Sequence, residues 1–325
     1  HGPVPEFLDP EVRALVDVFR EVRVAPLRPR GAVIGTVPKG VQIDYSLTEW
    51  LAGRGGGQAS RYTRGLQSVV RPAGVGLGAP TRHDLAVGLR RPSWAKAALM
   101  SRADLVSVML WAKRSPRPAL AYTFWLGAET IGLRKAWPLT PIVSRAHGGD
   151  LYSEAHSWTS IPFQASAVRS ADLLATVSQN GHDYLVSKYV SARASIEVHR
   201  LGFDDIGGLA ETSSGGPIRM LSVSSVDQNK RVDRIAQAAI WLARSGMPVH
   251  WTHLGDGPAR AQVDGVLAAR PTQLTVDLPG QVSHSEVASA MLHGRHSVLV
   301  NLSLSEGAPV SLMEAQCVGM PVVAT

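Results

Sequence analysis

The sequence predicts an α/β protein of two doubly wound domains facing a cleft. Through the second half, strand-like apolar stretches alternate with helical ones of roughly ten residues, the pattern of parallel strands joined by right-handed crossovers. A Gly-, Ser- and Thr-rich run, "DIGGLAETSSGGP" from Asp205 to Pro217, separates that half from a first half of similar but less regular pattern. The 325 residues leave each half enough chain for a core of its own. Two such sheets joined by a flexible link would place a cleft between their carboxyl ends, where ligands of such folds bind. The expected boundaries are 1–205 for the first domain, 206–217 for the linker and 218–325 for the second. The chain begins at His1 without a methionine and stops at Thr325 directly after "PVVAT", so both termini are expected to be truncated and the second domain incomplete.

In the first half, Val12, Leu15, Val16 and Phe19 form one helical face, and "EVRVAPL" follows as a strand. The glycine-rich stretches "RGGGQ" (54–58) and "GVGLG" (74–78) do not match the dinucleotide fingerprint after a strand and read as loops. "AALMSRADLVSVMLW" (97–111) is broken by Arg102 and Asp104 and reads as an amphipathic helix. In the second half "IRMLSVSS" is a strand. "VDRIAQAAIWLARSG" places Val232, Ile235, Ala239 and Leu242 at helical spacing, with Gly246 as the stop. The alternation continues through the strand "PVHWTHLG", the helix "ARAQVDGVLAAR", the strand "QLTVDLPG", the helix "HSEVASAMLHG" and the strand "HSVLVNLS".

Composition narrows the class of protein. With 45% hydrophobic and 18% charged residues the chain is of globular type. No apolar run reaches the ~18–20 residues of a membrane span, and no signal peptide is visible. Cys317 is the single cysteine, which argues against a disulfide framework and for a reducing compartment. A net charge of +7 favours anionic partners. The arginines are scattered rather than blocked together, which weakens a nucleic-acid reading.

The closing stretch, "SEGAPVSLMEAQCVGMPVVAT" (305–325), carries the chemistry. Pro309 suits a helix's first turn, Gly319 its end, and Pro321 lies beyond. Glu306 then stands in the loop after "HSVLVNLS", and Glu314 stands within the helix. The N–H groups around Gly307, Ala308, Pro309 and Val310 would offer an anion site at the positive end of the helix. The plain alternative is that Glu306 caps the helix and Glu314 faces solvent.

These motifs resemble the nucleotide-binding domain of the family 4 retaining glycosyltransferases, enzymes of two-domain GT-B fold. The resemblance rests on "SEG…MEA…G.PVVAT", "LSVSSVDQNKRVDRI" and "HLGDGPAR" in the second half. In the first half, "PEFLDPEVRALVDVFREVRVAP", "SRAHGGDLY", "IPF", "ADLLATVSQNGHDYLVSKY" and "IEVHRLG" are similar to the bacterial exopolysaccharide, colanic-acid-type branch. The resemblance implies an acceptor-side Rossmann-like first domain and a second domain that binds the nucleotide sugar. It implies that Glu306 bonds the donor sugar's hydroxyls, Glu314 the ribose, and Lys230 the diphosphate. His147 would approach the sugar from the opposite domain. As plain alternatives, Lys230 is a solvated helix-start lysine and His147 a packed or capping histidine.

A lysine and a helix N-terminus can stabilise the departing diphosphate without a metal. No Asp-x-Asp signature is present, Asp204–Asp205 reading as a turn, and no metal or other cofactor is expected. The family commonly carries an arginine five residues before the lysine; here that place is Ser225, for which Arg231 could substitute. The implied function is transfer of a hexosyl-type sugar, with retention, from a nucleotide-diphosphate donor to a glycan or lipid-linked acceptor in cell-envelope polysaccharide synthesis. The expected location is the cytoplasm, with peripheral association at an anionic membrane face compatible with the charge. Two alternatives stay open: a catalytically degenerate binding subunit, and a sugar-nucleotide epimerase of similar fold.

Overall fold

The computed structural model describes residues 8–27, 37, 39–52, 92–153, 160–189, 194–203, 205–211 and 215–325. The chain divides into two units, His1–Leu201 and Gly202–Thr325. Asp204 and both glycine-rich stretches of the first half lie outside the described residues.

In the first unit α1 (Asp9–Val18) buries Val12, and Phe19 follows directly after its last turn, donating its N–H to the Leu15 carbonyl at 2.8 Å. β1 (Val22–Val24) pairs in parallel with β2 (Val41–Ile43), and α2 (Ser46–Ala52) follows. Next come α3 (Pro92–Ala112), β3 (Ala121–Thr123), α4 (Ala128–Ala136), β4 (Ile142–Ala146) and the short α5 (Gly148–Leu151). The unit closes with α6 (Gln164–Ser170), β5 (Leu173–Thr176), α7 (Gln179–Lys188) and β6 (Ser195–Val198). Its main sheet is parallel throughout, in the order β3-β4-β5-β6.

The reading of α3 as amphipathic needs correction. Asp104 and Ser107 are buried beside Leu105, Val108 and Met109, because the helix packs into two apolar clusters rather than laying one face on the sheet. Among the described residues no helix is long and apolar enough to cross a membrane.

A polar knot locks this unit. The buried Arg145 on β4 donates to the Glu11 carboxylate at 2.7 and 3.1 Å, to the Tyr122 hydroxyl at 2.9 Å and to the His199 carbonyl at 2.7 Å. Tyr122 in turn donates to Glu11 at 2.6 Å, so α1, β3, β4 and the end of β6 meet on one guanidinium. Burial pushes the Tyr122 phenol well above its ordinary pKa, which keeps it a donor.

The second unit follows the predicted alternation element by element. β7 (Ile218–Val223), α8 (Val232–Arg244), β8 (Val249–Leu254), α9 (Arg260–Leu267), β9 (Leu274–Gly280), α10 (His284–His293), β10 (Val298–Asn301), α11 (Val310–Cys317) and β11 (Val322–Ala324) succeed one another. All strand pairs are parallel, in the order β11-β10-β7-β8-β9. Helices cover both faces. Met220 and Val300 face α8 and α9, whereas their neighbours Leu221 and Leu299 face α10 and α11, as the alternation of side chains along a strand requires. α8 buries Val232, Ile235, Ala236, Ala239, Ile240 and Ala243 against Val249 and Trp251. Each large apolar side chain buried in this way contributes about 1.5–3 kcal/mol.

The stretch expected as a linker contributes to this unit. Ile206 and Ala210 pack in the second cluster. The Ala210 N–H donates to the Val318 carbonyl at 2.8 Å, and the Glu211 N–H to that of Leu292 at 2.7 Å.

The strand order sets the site. From β7 the chain winds outward through β8 and β9, then returns to the other side of β7 as β10 and continues to β11. The carboxyl ends of β7 and β10 are therefore a topological switch point, where the outgoing connections diverge and leave a crevice.

Candidate functional site

Two loops leave that switch point, 224–231 after β7 and 302–309 after β10. Asp227 shapes the first. Its carboxylate accepts the N–H groups of Asn229 and Lys230 at 2.9 and 3.0 Å and the Ser225 hydroxyl at 2.7 Å. Such side-chain-to-backbone bonds hold a turn without a regular ladder. Asn229 then stitches the loops together: its amide donates to the Ser305 carbonyl at 3.0 Å, and its carbonyl accepts the Leu304 N–H at 2.8 Å.

The stitch brings Lys230 and Glu306 into contact. The ammonium donates to Glu306 Oε1 at 2.6 Å, with the two side chains only 23% and 20% exposed. Asn301, the last residue of β10, reaches the same oxygen at 3.4 Å and accepts the Ser303 N–H at 2.9 Å. A partly solvated pair of this kind contributes about 1 kcal/mol or less net. A more highly charged anion can therefore take the lysine from the glutamate.

Arg231 is directed elsewhere. It occupies left-handed backbone space at φ 48°, which costs a non-glycine residue about 1–2 kcal/mol. Its Nε donates to the Leu302 carbonyl at 2.5 Å and its Nη2 to the Thr325 hydroxyl at 3.3 Å. The guanidinium thus braces one loop against the other. Strain held by surrounding bonds in this way is characteristic of functional loops.

A third loop, 255–257 after β8, lies against the first. A Cβ at Gly255, where φ is +137°, would stand 1.9 Å from the Ser224 carbonyl oxygen, and one at Gly257 2.4 Å from that of Val226. These glycines of "GDGP" permit the backbones to touch. Behind them lies His253. The Trp251 indole donates to Ser222 Oγ at 2.9 Å, and that oxygen shares a further hydrogen bond with His253 Nδ1 at 2.8 Å. Burial lowers the His253 pKa to about 4, so the ring is neutral near pH 7.

Gly307, Ala308, Pro309 and Val310 lead into α11, with Pro309 at the cap position and no side-chain cap. Of the four, Pro309 has no N–H to offer an anion. Glu314, one turn inside the helix, is 4% exposed, and its Oε1 lies 3.6 Å from His284 Nε2. The alternative that it faces solvent is thereby overturned.

His147 belongs to the first unit, at the carboxyl end of β4. It is 9% exposed, and its ring lies 4.5 Å from the Phe124 ring and 4.4 Å from that of Trp125, centroid to centroid. Neither ring nitrogen has a hydrogen-bond partner; the carboxylate of Asp150 stands 3.9 Å from Nδ1. Asp150 instead accepts the N–H groups of His147 at 2.6 Å and Leu126 at 2.7 Å. Burial raises its pKa.

Among the described residues no three His, Cys, Asp or Glu side chains are grouped to hold a metal ion. Sequence reading missed Asp227, Asn229, Asn301 and Asp150, which position the others. The turn-forming "DQN" and the three-residue spacing of His147 and Asp150, which suits a capping pair, were the signals available.

Residues 210–325 match the family model described as glycosyl transferases group 1. Over 185 residues the chain is 26% identical to a Salmonella typhimurium (strain LT2) protein named as colanic acid biosynthesis glycosyltransferase WcaL, covering 55% of this chain and 45% of that one. The chain thus spans less than half the length of this curated relative. Among solved structures, apo lipopolysaccharide outer core galactosyltransferase WaaB superposes with a TM-score of 0.53 at 18% identity, over 70% of this chain and 61% of its own. A mutant of S. aureus TarM, in complex with fondaparinux, α-GlcNAc-glycerol and UDP, gives 0.54 at 12% identity, over 68% and 44%. The fold is accordingly that of the GT-B glycosyltransferases.

Proposed function

We propose that the chain transfers a sugar from a nucleoside-diphosphate donor to a polysaccharide acceptor, a reading supported by the match of residues 210–325 to the model described as glycosyl transferases group 1. The supporting observation is the Lys230–Glu306 pair at 2.6 Å, lying at the switch point of the second sheet. In this reading the donor's diphosphate takes over the Lys230 ammonium, and the released Glu306 carboxylate turns to the sugar's hydroxyls. Glu314 bonds the ribose, and the N–H groups of Gly307, Ala308 and Val310 face the phosphates.

The bond between the anomeric carbon and the phosphate oxygen breaks, and the diphosphate leaves with the electron pair. Lys230 and the start of α11 stabilise its growing charge. The acceptor hydroxyl attacks from the face vacated and passes its proton to the departing diphosphate oxygen, so configuration is retained and neither glutamate serves as nucleophile. No metal is assigned. His147 is assigned to substrate contact in the first unit. A lipid-linked acceptor at the inner membrane face, with the enzyme cytoplasmic or peripheral there, completes the reading.

A second reading, a binding subunit without turnover, is favoured by one observation. Ser225 occupies the place of the family's second cation and bonds Asp227, while Arg231 is engaged by Leu302. Turnover of a nucleotide sugar separates the two readings.

Calorimetry with UDP, GDP, ADP and dTDP tests the site. At least one should bind, and Lys230→Ala should weaken it by about 1.5–3 kcal/mol, roughly 10- to 100-fold. An unchanged dissociation constant with the fold intact removes Lys230 from the site.

A further inference from the structure

We propose that Trp125 is a stacking platform for one pyranose ring of the acceptor glycan, set by the indole's contact with His147 at the carboxyl end of β3. The proposal rests on the transferase reading above.

Trp125 lies 47% exposed, although an indole normally gains by burial. Among the described residues of the first unit it is the only Phe, Tyr or Trp side chain so exposed. Its exposure does not come from a loose segment. The indole meets the His147 ring at 4.4 Å and 48°, and the Phe124 ring edge-on at 5.6 Å and 89°. Its carbonyl accepts the Ser144 hydroxyl at 3.4 Å, and the next N–H, that of Leu126, is held by Asp150 at 2.7 Å. One face of the ring is therefore presented in a fixed direction, which lowers the entropy lost on binding.

The adjoining His147 supplies the polar half of such a site. Its two ring nitrogens are buried without a hydrogen-bond partner, Nδ1 standing 3.9 Å from the Asp150 carboxylate, a state that a ligand hydroxyl would relieve. A pyranose offers the matching pair of features: a C–H face that packs on an aromatic ring, and hydroxyls around its rim that bond an imidazole. The position agrees, since ligands of parallel α/β sheets bind beyond the carboxyl ends of the strands. A lipid surface is the less suitable occupant. Membrane-seated tryptophans come in belts with other interfacial aromatic and basic residues, whereas of the rings beside Trp125 that of His147 is buried and that of Phe124 half-buried.

Saturation-transfer NMR on the full chain tests this. The probes are the methyl α- and β-glycosides of glucose, galactose, mannose and N-acetylglucosamine. At least one glycoside should receive saturation on the ring protons of a single face. Trp125→Ala should lower that transfer about fivefold, and Trp125→Phe, which keeps a ring, should retain most of it. Melting temperatures of both variants report the fold. No transfer to any glycoside, or transfer unchanged in Trp125→Ala, overturns the platform. So does a loss in Trp125→Ala of binding to phosphatidylglycerol vesicles with glycoside transfer intact, which would make the residue a membrane contact. UDP is included with both proteins. If it fails to bind even the unmutated chain while the glycoside response holds, the nucleotide-sugar reading fails and the platform stands.

Discussion

The two units hold their candidate residues by opposite means. In the second, charged and amide groups from two loops and the end of β10 bond one another in a chain running from Asp227 through Asn229 and Lys230 to Glu306 and Asn301. In the first, His147 is held by ring packing and by a buried carboxylate that bonds backbone N–H groups instead of the imidazole. The polar loops present groups that an anion can exchange. The aromatic cluster presents a fixed surface. One arrangement suits a charged ligand that must leave after reaction, the other a neutral ring that must be aligned.

The largest test of this contrast uses glycine. Gly255→Ala puts a Cβ against the Ser224 carbonyl in left-handed backbone space, and should cost the second unit about 3 kcal/mol, read from hydrogen exchange and urea unfolding. Gly149, beside His147, has open space around its missing Cβ. Gly149→Ala should leave stability unchanged or raise it by up to ~1 kcal/mol. Equal effects at the two sites would mean that the loop contact in the second unit is not tight.

Acid should also separate the units. His253 and His296 are buried, with pKa values lowered from 6.5 to about 4. The unfolded chain therefore binds more protons below 6.5, and the stability these residues contribute is full above that value. It is lost as pH falls from 6.5 toward about 4, by on the order of 3 kcal/mol for each histidine. Asp150 in the first unit has the opposite sign: its raised pKa favours the folded state in acid, and that contribution fades as pH rises through the folded value. Hydrogen exchange at about pH 7.5 and about pH 4.5 should show protection falling first in the second unit, with His253→Asn and His296→Asn flattening the slope.

A smaller effect sharpens the account of the polar site. Glu306→Gln removes the competitor for the Lys230 ammonium, so bare UDP should bind about fivefold more tightly, a gain of about 1 kcal/mol, while sugar turnover falls. Unchanged UDP affinity would mean that the pair does not open for the ligand.

How much of this was legible beforehand follows from where the determinants lie in the chain. Helical spacing in "VDRIAQAAIWLAR" and the apolar runs of β7 and β10 are local, and they specified the second unit because each element buries a face whose period depends only on its own residues. Glu306 and Glu314 could likewise be placed on loop and helix from Pro309 and Gly319. α3 was misread because Asp104 is buried among residues from elsewhere in the first unit, which no local period reports. The bond between Lys230 and Glu306 joins residues 76 apart in the chain. Strand order alone brings them together, by returning β10 to the far side of β7. Likewise, the ring contacts of His147 with Phe124 and Trp125 exist because β3 and β4 pair in parallel and end side by side. Periodicity specifies elements because burial is a local pattern; a site is made of distances between elements, and those are set only when the sheets assemble.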